Sequence, residues 1–291
     1  MIQNLKIFFK ISIVYFVIIS GLAGYGLGHT VESEFNLIHL LLFVIGTFFI
    51  SAGSLSLNQI QEFKQDKKMD RTQNRPLVTG DYSVPQALSI SISCLALGHV
   101  ILYFVSPLSF WVGFSIVFLY NVFYTMFWKK HWVFAAVPGA IPGALPPVMG
   151  YVAINDNILS SDFWYLFLIM FLWQMPHFWS LAIKYREDYG KGSFPVLPFS
   201  LGPDRTKYHI SFYVFAYVLL AIMSPFFVPY SVAYFMIVLP FALITLYQFL
   251  KFFKSEEEKA WLPFFLITNF SMLAFIYAPV VDKWLPLIFK V

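Results

Sequence analysis

Residues 38–58 read IHLLLFVIGTFFISAGSLSLN, from Ile38 to Asn58, with no Asp, Glu, Lys or Arg. A helix needs roughly 20 apolar residues to cross the hydrocarbon core of a bilayer, and this run supplies them. A membrane barrel would instead need alternating segments of about 10 residues, so a strand reading is excluded. Comparable windows recur over 11–29, 85–105, 108–127, 133–153, 163–183, 209–229, 231–251 and 262–281. With 38–58 they predict nine spanning helices in one domain covering residues 1–291, an all-α polytopic bundle.

Composition agrees. The chain is 59% hydrophobic and 12% charged, with a mean hydropathy of +0.72, where a soluble domain carries about 25% charge. A soluble globular fold, a secreted domain and disorder are excluded together. The single Cys94 cannot form an internal disulfide. Lys6 and Lys10 before an apolar stretch look superficially like a signal peptide, but Ile11 to Gly28 is long enough to span and reads as a retained first helix.

The bases sort by topology. Lys6 and Lys10; Lys64, Lys67, Lys68, Arg71 and Arg75; Lys129 and Lys130; Lys184, Arg186, Lys191, Arg205 and Lys207; and Lys251, Lys254 and Lys259 all fall on one side of a nine-helix chain. Only Lys283 and Lys290 fall on the other, whose connections also carry Glu32, Glu34, Asp156 and Asp162. The positive-inside rule then puts the N-terminus in the cytoplasm and the C-terminus outside. Bases dealt out in this way do not form a nucleic-acid patch, and no nucleic-acid partner is expected. Two inner loops, about 59–84 and 184–208, mix acids with bases and are the expected seat of chemistry.

In the first loop, Asn58, Glu62, Asp66 and Asp70 repeat every four residues, so a continuing helix would set them on one face. Like charges at that spacing repel, which calls for a cation among them; alternatively the acids pair with Lys64, Lys67 and Lys68. Hard oxygen donors suit Mg²⁺, which takes one or two carboxylates and fills its other positions with water and phosphate oxygens. Arg71 and Arg75 follow, ended by Pro76, and guanidinium binds phosphate oxygens bidentately. The combination is that of a diphosphate site.

The second loop offers Glu187 and Asp188 for a second ion, with Lys184 and Tyr185 one turn back as phosphate donors. Pro176 and His177 lie inside the preceding span, where a polar residue and a kink each need a reason. Tyr124, Thr125, Lys129 and Lys130 end the fourth helix on the inner side. Gly139, Pro142, Gly143, Pro146 and Pro147 interrupt the fifth, and read as packing positions rather than as a cavity wall. Rings such as Trp173 and Tyr124, set in a cavity, would shelter an isoprenoid and stabilise a carbocation.

Together these segments resemble the intramembrane prenyltransferases of the UbiA superfamily, whose first motif is Asn-x-x-x-Asp-x-x-x-Asp. Asn58, Glu62 and Asp66 occupy it, with Glu62 in place of the usual Asp, and Asp70 lies outside it. Asp66, Met69, Arg71, Thr72, Arg75 and Pro76 are similar to the haem-farnesylating branch, as are Trp173, Gln174, Pro176, His177, Phe178, Asp188, Tyr189, Pro195, Leu197 and Pro198, followed by Gly202, Thr206 and Lys207. Gly192 stands where the wider superfamily often has a further acid, leaving fewer carboxylates for a second metal.

The resemblance implies transfer of a farnesyl group from farnesyl diphosphate to a vinyl group of haem B, with addition of water, giving haem O and diphosphate. It implies one or two Mg²⁺ ions held by Asn58, Glu62, Asp66 and Asp188, with Arg71, Arg75, Lys129 and Lys184 stabilising the leaving group. His177, Tyr124, Tyr185 and Trp173 are then expected at the substrates, and a haem-modifying enzyme or oxidase assembly factor downstream. A bacterial plasma membrane with the site on its cytoplasmic side is the expected location, since no leader precedes the first helix. The rivals are a prenyltransferase of quinone synthesis using the same diphosphate site, and a transporter or lipid-binding protein.

Overall fold

The computed structural model describes residues 2–31, 34–226, 230–255 and 260–289. Glu32, Lys259 and Lys290, to which the charge pattern gave sides, lie outside the described residues. Within them the chain forms helices and turns and no strand. The order is α1 (Ile2–Phe8), α2 (Ile11–Gly28), α3 (Leu37–Gln61), α4 (Phe63–Asp66), a 3₁₀ turn (Asp70–Thr72), α5 (Pro76–Thr79), α6 (Val84–Val105) and α7 (Pro107–Val117). A π-helical extension (Phe118–Trp128) leads into α8 (Lys129–His131) and α9 (Ala136–Tyr151). Then come α10 (Ser161–Lys184), α11 (Arg186–Lys191), α12 (Leu197–Ser200), α13 (Pro203–Met223), α14 (Val232–Lys254) and α15 (Trp261–Phe289).

Among the described residues, eight helices are long and apolar enough to cross a membrane. The ninth expected span, 133–153, appears as the 16-residue α9, shorter than the eight spans and buried at most positions. It still runs the length of the bundle. Its first turns lie beside Tyr124, while at its far end Ser109 Oγ donates to Met149 O (2.9 Å) and Ser106 Oγ to Val152 O (3.0 Å). α13 starts at Pro203, not near 209, because Pro203 occupies the first turn. Arg205, Thr206 and Lys207 are therefore helical rather than part of the inner loop.

Local chemistry sets the starts of the long helices. Asn36, Ser83, Ser106, Ser160 and Ser231 each cap a helix by accepting a backbone N–H with the side chain, an interaction worth about 1 kcal/mol. Packing then depends on small residues, since lipid tails are as apolar as leucine and give helices little hydrophobic reason to associate. α2 crosses α9 so closely that a Cβ on Gly24 would lie 1.7 Å from the Pro147 carbonyl oxygen.

The last helix closes the ring onto the first span. From α15, Tyr277 OH donates to Ile19 O (2.7 Å), Lys283 Nζ to Leu27 O (2.6 Å) and Trp284 Nε1 to Gly26 O (2.9 Å). Lys283 thus sits at the opposite end of the bundle from Lys10, Lys129 and Lys207.

Candidate active site

α3 does not carry the four-residue repeat onward as one helix. It ends at Gln61, and Glu62 (φ −102°, ψ 7°) breaks it before the single turn of α4. The break gathers Asn58, Glu62 and Asp66, each at most 2% exposed, and turns Asp70 away to pair with Lys191 on an exposed rim. The cations that relieve the buried acids come from remote parts of the chain. Lys129 Nζ lies 2.5 Å from Glu62 Oε1, Arg75 is hydrogen-bonded to Asp66, and Lys10 Nζ donates to Asn58 Oδ1 (2.8 Å). Lys64, Lys67 and Lys68 stay exposed, so local pairing is not what stabilises these acids.

The π-helical segment positions the facing wall. Wider winding lets Thr125 Oγ1 donate to Tyr120 O, five residues back (2.8 Å), a geometry that recurs at functional sites. Asn121 and Thr125 thereby face α3: Asn121 exchanges hydrogen bonds with Ser54, and Asn58 Nδ2 donates to Thr125 Oγ1 (3.1 Å). Lys129 follows at the end of this segment, over the Phe194 ring at 4.6 Å.

Burial and mutual charge tune the cluster. Burial, helped by Arg75 and Lys129, brings the Lys10 ammonium down to about 7 against the pull of Glu62 and Asp66. Burial alone would raise Glu62, but the Lys129 and Lys10 ammoniums outweigh it and hold the carboxyl below its ordinary value. For Asp66, burial prevails over the Arg75 guanidinium, and with Glu62 nearby its pKa is raised.

These residues form one end of a cavity of about 420 Å³. Arg71, Tyr124, Trp173 and His177 also border it, and it continues between the helices to Ile50, Met149, Met170 and Met272. One face of α9, with Gly139, Pro142, Gly143 and Pro146, lines it as well. The expected packing role holds at Gly139, Gly143 and Pro147, and the structure adds that Gly139, Pro142, Gly143 and Pro146 also border the cavity. Gln174 and Tyr124 pack directly onto the bare glycines: a Cβ on Gly143 would fall 2.0 Å from Gln174 Nε2, and one on Gly139 2.5 Å from the Tyr124 ring. The His177 ring lies between Trp173 (4.7 Å) and Phe265 (5.0 Å), and its buried Nδ1 has no hydrogen-bond partner among the described residues.

Lys184, Tyr185 and Asp188 are not brought to this cluster. They border a second cavity, of about 740 Å³, at the same end of the bundle. Both Asp188 oxygens face backbone amides, Oδ1 accepting from Asp70 N (2.7 Å) and Oδ2 from Arg71 N (3.3 Å). Arg71 borders both cavities, with its guanidinium over the rings of Tyr185 (5.3 Å) and Tyr189 (5.1 Å).

Two contributors escaped the sequence reading, and a third was named in it without a role. Lys10 read only as a topological marker, and Tyr120, stacked on Tyr124 at 5.8 Å, was hidden inside an apolar span; Gln174 belonged to the second motif but carried no expected role at the cavity. A metal fits the cluster's chemistry. Asp66 Oδ1 is buried and without a partner among the described residues, and Asn58 and Glu62 add hard oxygen donors. No three His, Cys, Asp or Glu side chains gather there among the described residues, so phosphate oxygens and water would complete the coordination.

A model of the UbiA prenyltransferase family matches residues 17–275, and the chain belongs to that family: it is a multi-pass membrane enzyme, a prenyltransferase. Within the family its similarity is to protoheme IX farnesyltransferases. It is 46% identical to the protoheme IX farnesyltransferase of Bdellovibrio bacteriovorus over 253 residues, 87% of either chain. With that of Protochlamydia amoebophila it shares 31% over 261 residues, 90% of this chain and 91% of the other.

Solved structures agree on the fold. A digeranylgeranylglyceryl phosphate synthase superposes with a TM-score of 0.76 at 20% identity, covering 96% of this chain and 98% of that one. A UbiA homologue from Archaeoglobus fulgidus bound to DMAPP and Mg²⁺ gives 0.69 at 19%, covering 95% and 98%. Membership in an enzyme family removes the transporter reading.

Proposed function

We propose that the protein transfers a farnesyl group from farnesyl diphosphate to a vinyl group of haem B, with addition of water, releasing haem O and diphosphate. The observation that carries this reading is the single cavity in which a buried oxygen-donor cluster ringed by Lys10, Arg75 and Lys129 opens directly into an apolar channel. A diphosphate suits one end and an isoprenoid chain the other. The names of the relatives at 46% and 31% identity support the choice of prenyl donor and acceptor.

Mg²⁺, held by Asp66 and Asn58 with Glu62 beside them, would supply charge neutralisation at the diphosphate. Lys129, Arg75, Arg71 and Lys10 stabilise the negative charge that builds on the leaving group, a task preorganised donors perform best in a site shielded from water. Tyr120, Tyr124 and Trp173 present ring faces to the positive charge left on the allylic fragment, while Met149, Met170 and Met272 keep bulk water away from it. His177, with its open Nδ1, contacts the haem or the water that completes the addition. A second ion at Asp188 would have to displace the Asp70 and Arg71 amides, so the proposal gives that carboxylate to the Arg71 backbone.

The site lies on the cytoplasmic side of a bacterial plasma membrane, a reading supported by the gathering of bases at this end. The haem O made there passes to a haem-modifying enzyme or to oxidase assembly. The test is incubation of the purified protein with haem B, farnesyl diphosphate and Mg²⁺, followed by mass analysis. A farnesylated, hydrated haem is expected; prenylation of a hydroxybenzoate in its place would overturn the proposal.

A further inference from the structure

Two residues that line the second cavity, Lys207 and Trp261, carry buried donors. The Trp261 indole N–H, at the start of α15, is buried and finds no acceptor among the described residues. Lys207 is also buried, its side chain 9% exposed. Its Nζ donates to Ser255 O (2.8 Å), while the exposed Asp204 carboxylate stands 3.7 Å away. An ammonium has three N–H donors, so capacity remains, and a charge withdrawn from water calls for an anion.

Among the described residues, Asp204 is the acid that pairs with Lys207, and it does so at 3.7 Å from an exposed position (87%); the acids that line the cavity are engaged elsewhere or exposed. Asp188 is committed to the amides of Asp70 and Arg71, and Asp70 pairs with Lys191 on the rim. Glu187 is exposed at the mouth.

A run of rings joins Trp261 to the first cavity. His177 contacts Phe265 at 5.0 Å, and Phe265 stacks on Trp261 at 4.9 Å and 22°. A flat conjugated acceptor lying along this ridge from His177 would bring its far edge to Trp261, which lines the second cavity together with Lys207. Haem B carries its vinyl groups on one half of the macrocycle and its two propionates on the other.

We infer that the second cavity binds the carboxylates of the acceptor through the indole N–H of Trp261 and the Lys207 ammonium. The inference rests on the haem reading above and adds to it the face by which the acceptor is held. Binding the propionates here aims the vinyl edge back toward the first cavity.

The experiment compares haem B with its dimethyl ester as acceptor in steady-state farnesyl transfer, using wild type, Trp261→Phe and Lys207→Met. Wild type should show a KM for the ester at least tenfold above that for the free acid. Trp261→Phe keeps the ring and loses only the N–H; it should raise the KM for haem B severalfold and narrow the gap between acid and ester, leaving the KM for farnesyl diphosphate unmoved. Lys207→Met should do the same more strongly, and should it fail to fold, Trp261→Phe carries the test alone. Equal KM values for acid and ester in wild type would overturn the inference while leaving haem farnesylation intact. A rise in the KM for farnesyl diphosphate in Trp261→Phe would also overturn it, assigning the cavity to diphosphate. No prenylated porphyrin from either acceptor would overturn the haem reading itself and this inference with it.

Discussion

Lys129 Nζ and Glu62 Oε1, 67 positions apart, meet at 2.5 Å and tie the end of the π-helical segment to the break after α3. Both groups are largely withdrawn from water, with side-chain exposures of 15% and 3%. Removing one partner of such a pair leaves a buried charge, at a cost of about 3–5 kcal/mol. Lys129→Met is therefore expected to lower the detergent-solubilised protein's unfolding temperature by several degrees. Lys129→Met combined with Glu62→Gln should recover much of that stability yet restore no activity, because the ammonium also serves the leaving group. Thermal unfolding and prenyl transfer, measured on the same preparations, check both halves.

Asp66→Asn keeps the size of a side chain whose Oδ1 has no partner, and removes its charge. If this oxygen takes the metal, diphosphate release should fall by at least about 100-fold, the scale of losing a key electrostatic group, and the remaining activity should require more Mg²⁺. A Mg²⁺ titration of diphosphate release reads both. Unchanged turnover would remove the metal assignment.

Asp188→Asn separates two roles for that carboxylate. If it serves the amides of Asp70 and Arg71, the variant should lose about tenfold in kcat/KM through a displaced Arg71, with the Mg²⁺ dependence unaltered. A shift of the Mg²⁺ midpoint would mean that a second ion binds there.

Lys10 enters the site from the turn between α1 and α2, where its backbone takes a left-handed conformation (φ 48°). Its ammonium, hydrogen-bonded to Asn58, is expected to hold diphosphate. Lys10→Met should raise the KM for farnesyl diphosphate by about tenfold, equivalent to 1.4 kcal/mol, and leave the KM for the acceptor close to wild type in steady-state assays varying each substrate.

Gly24→Ala tests the crossing of α2 and α9. The added Cβ would meet backbone, not a movable side chain, so the helices must separate, a strain of about 1–3 kcal/mol or more. A lowered unfolding temperature with an unchanged KM for farnesyl diphosphate in the folded fraction is the expected result.

Much of this architecture was legible in the sequence because a bilayer forbids unpaired backbone groups and so forces long apolar helices. The spans expected at 85–105 and 231–251 appear as Val84–Val105 and Val232–Lys254. Asn58, Glu62 and Asp66 stood out in the sequence as polar residues at the end of an apolar run, and the structure buries them together. Arg75 and Lys129 were expected at the same site, but as diphosphate ligands and not as ion-pair partners of Asp66 and Glu62, and Lys10 was not expected there. Four-residue spacing suggested one helical face including Asp70 and local pairing with Lys64, Lys67 and Lys68, whereas the break at Glu62 sends Asp70 outward and the cations arrive from positions 10, 75 and 129.

The sequence by itself determined a membrane-spanning helix bundle with its polar residues gathered at one end. Hydropathy and charge act along the chain, one residue at a time, and need no partner to be read. Only the tertiary structure decided that α9 lines a cavity, that Lys10 belongs to the acidic cluster, and that Asp188 and Lys184 face a separate space beyond Arg71. In a helix surrounded by lipid, the faces toward protein and toward solvent are both apolar, so periodicity cannot say which residues meet. Close packing across glycines and a few buried polar contacts make that choice.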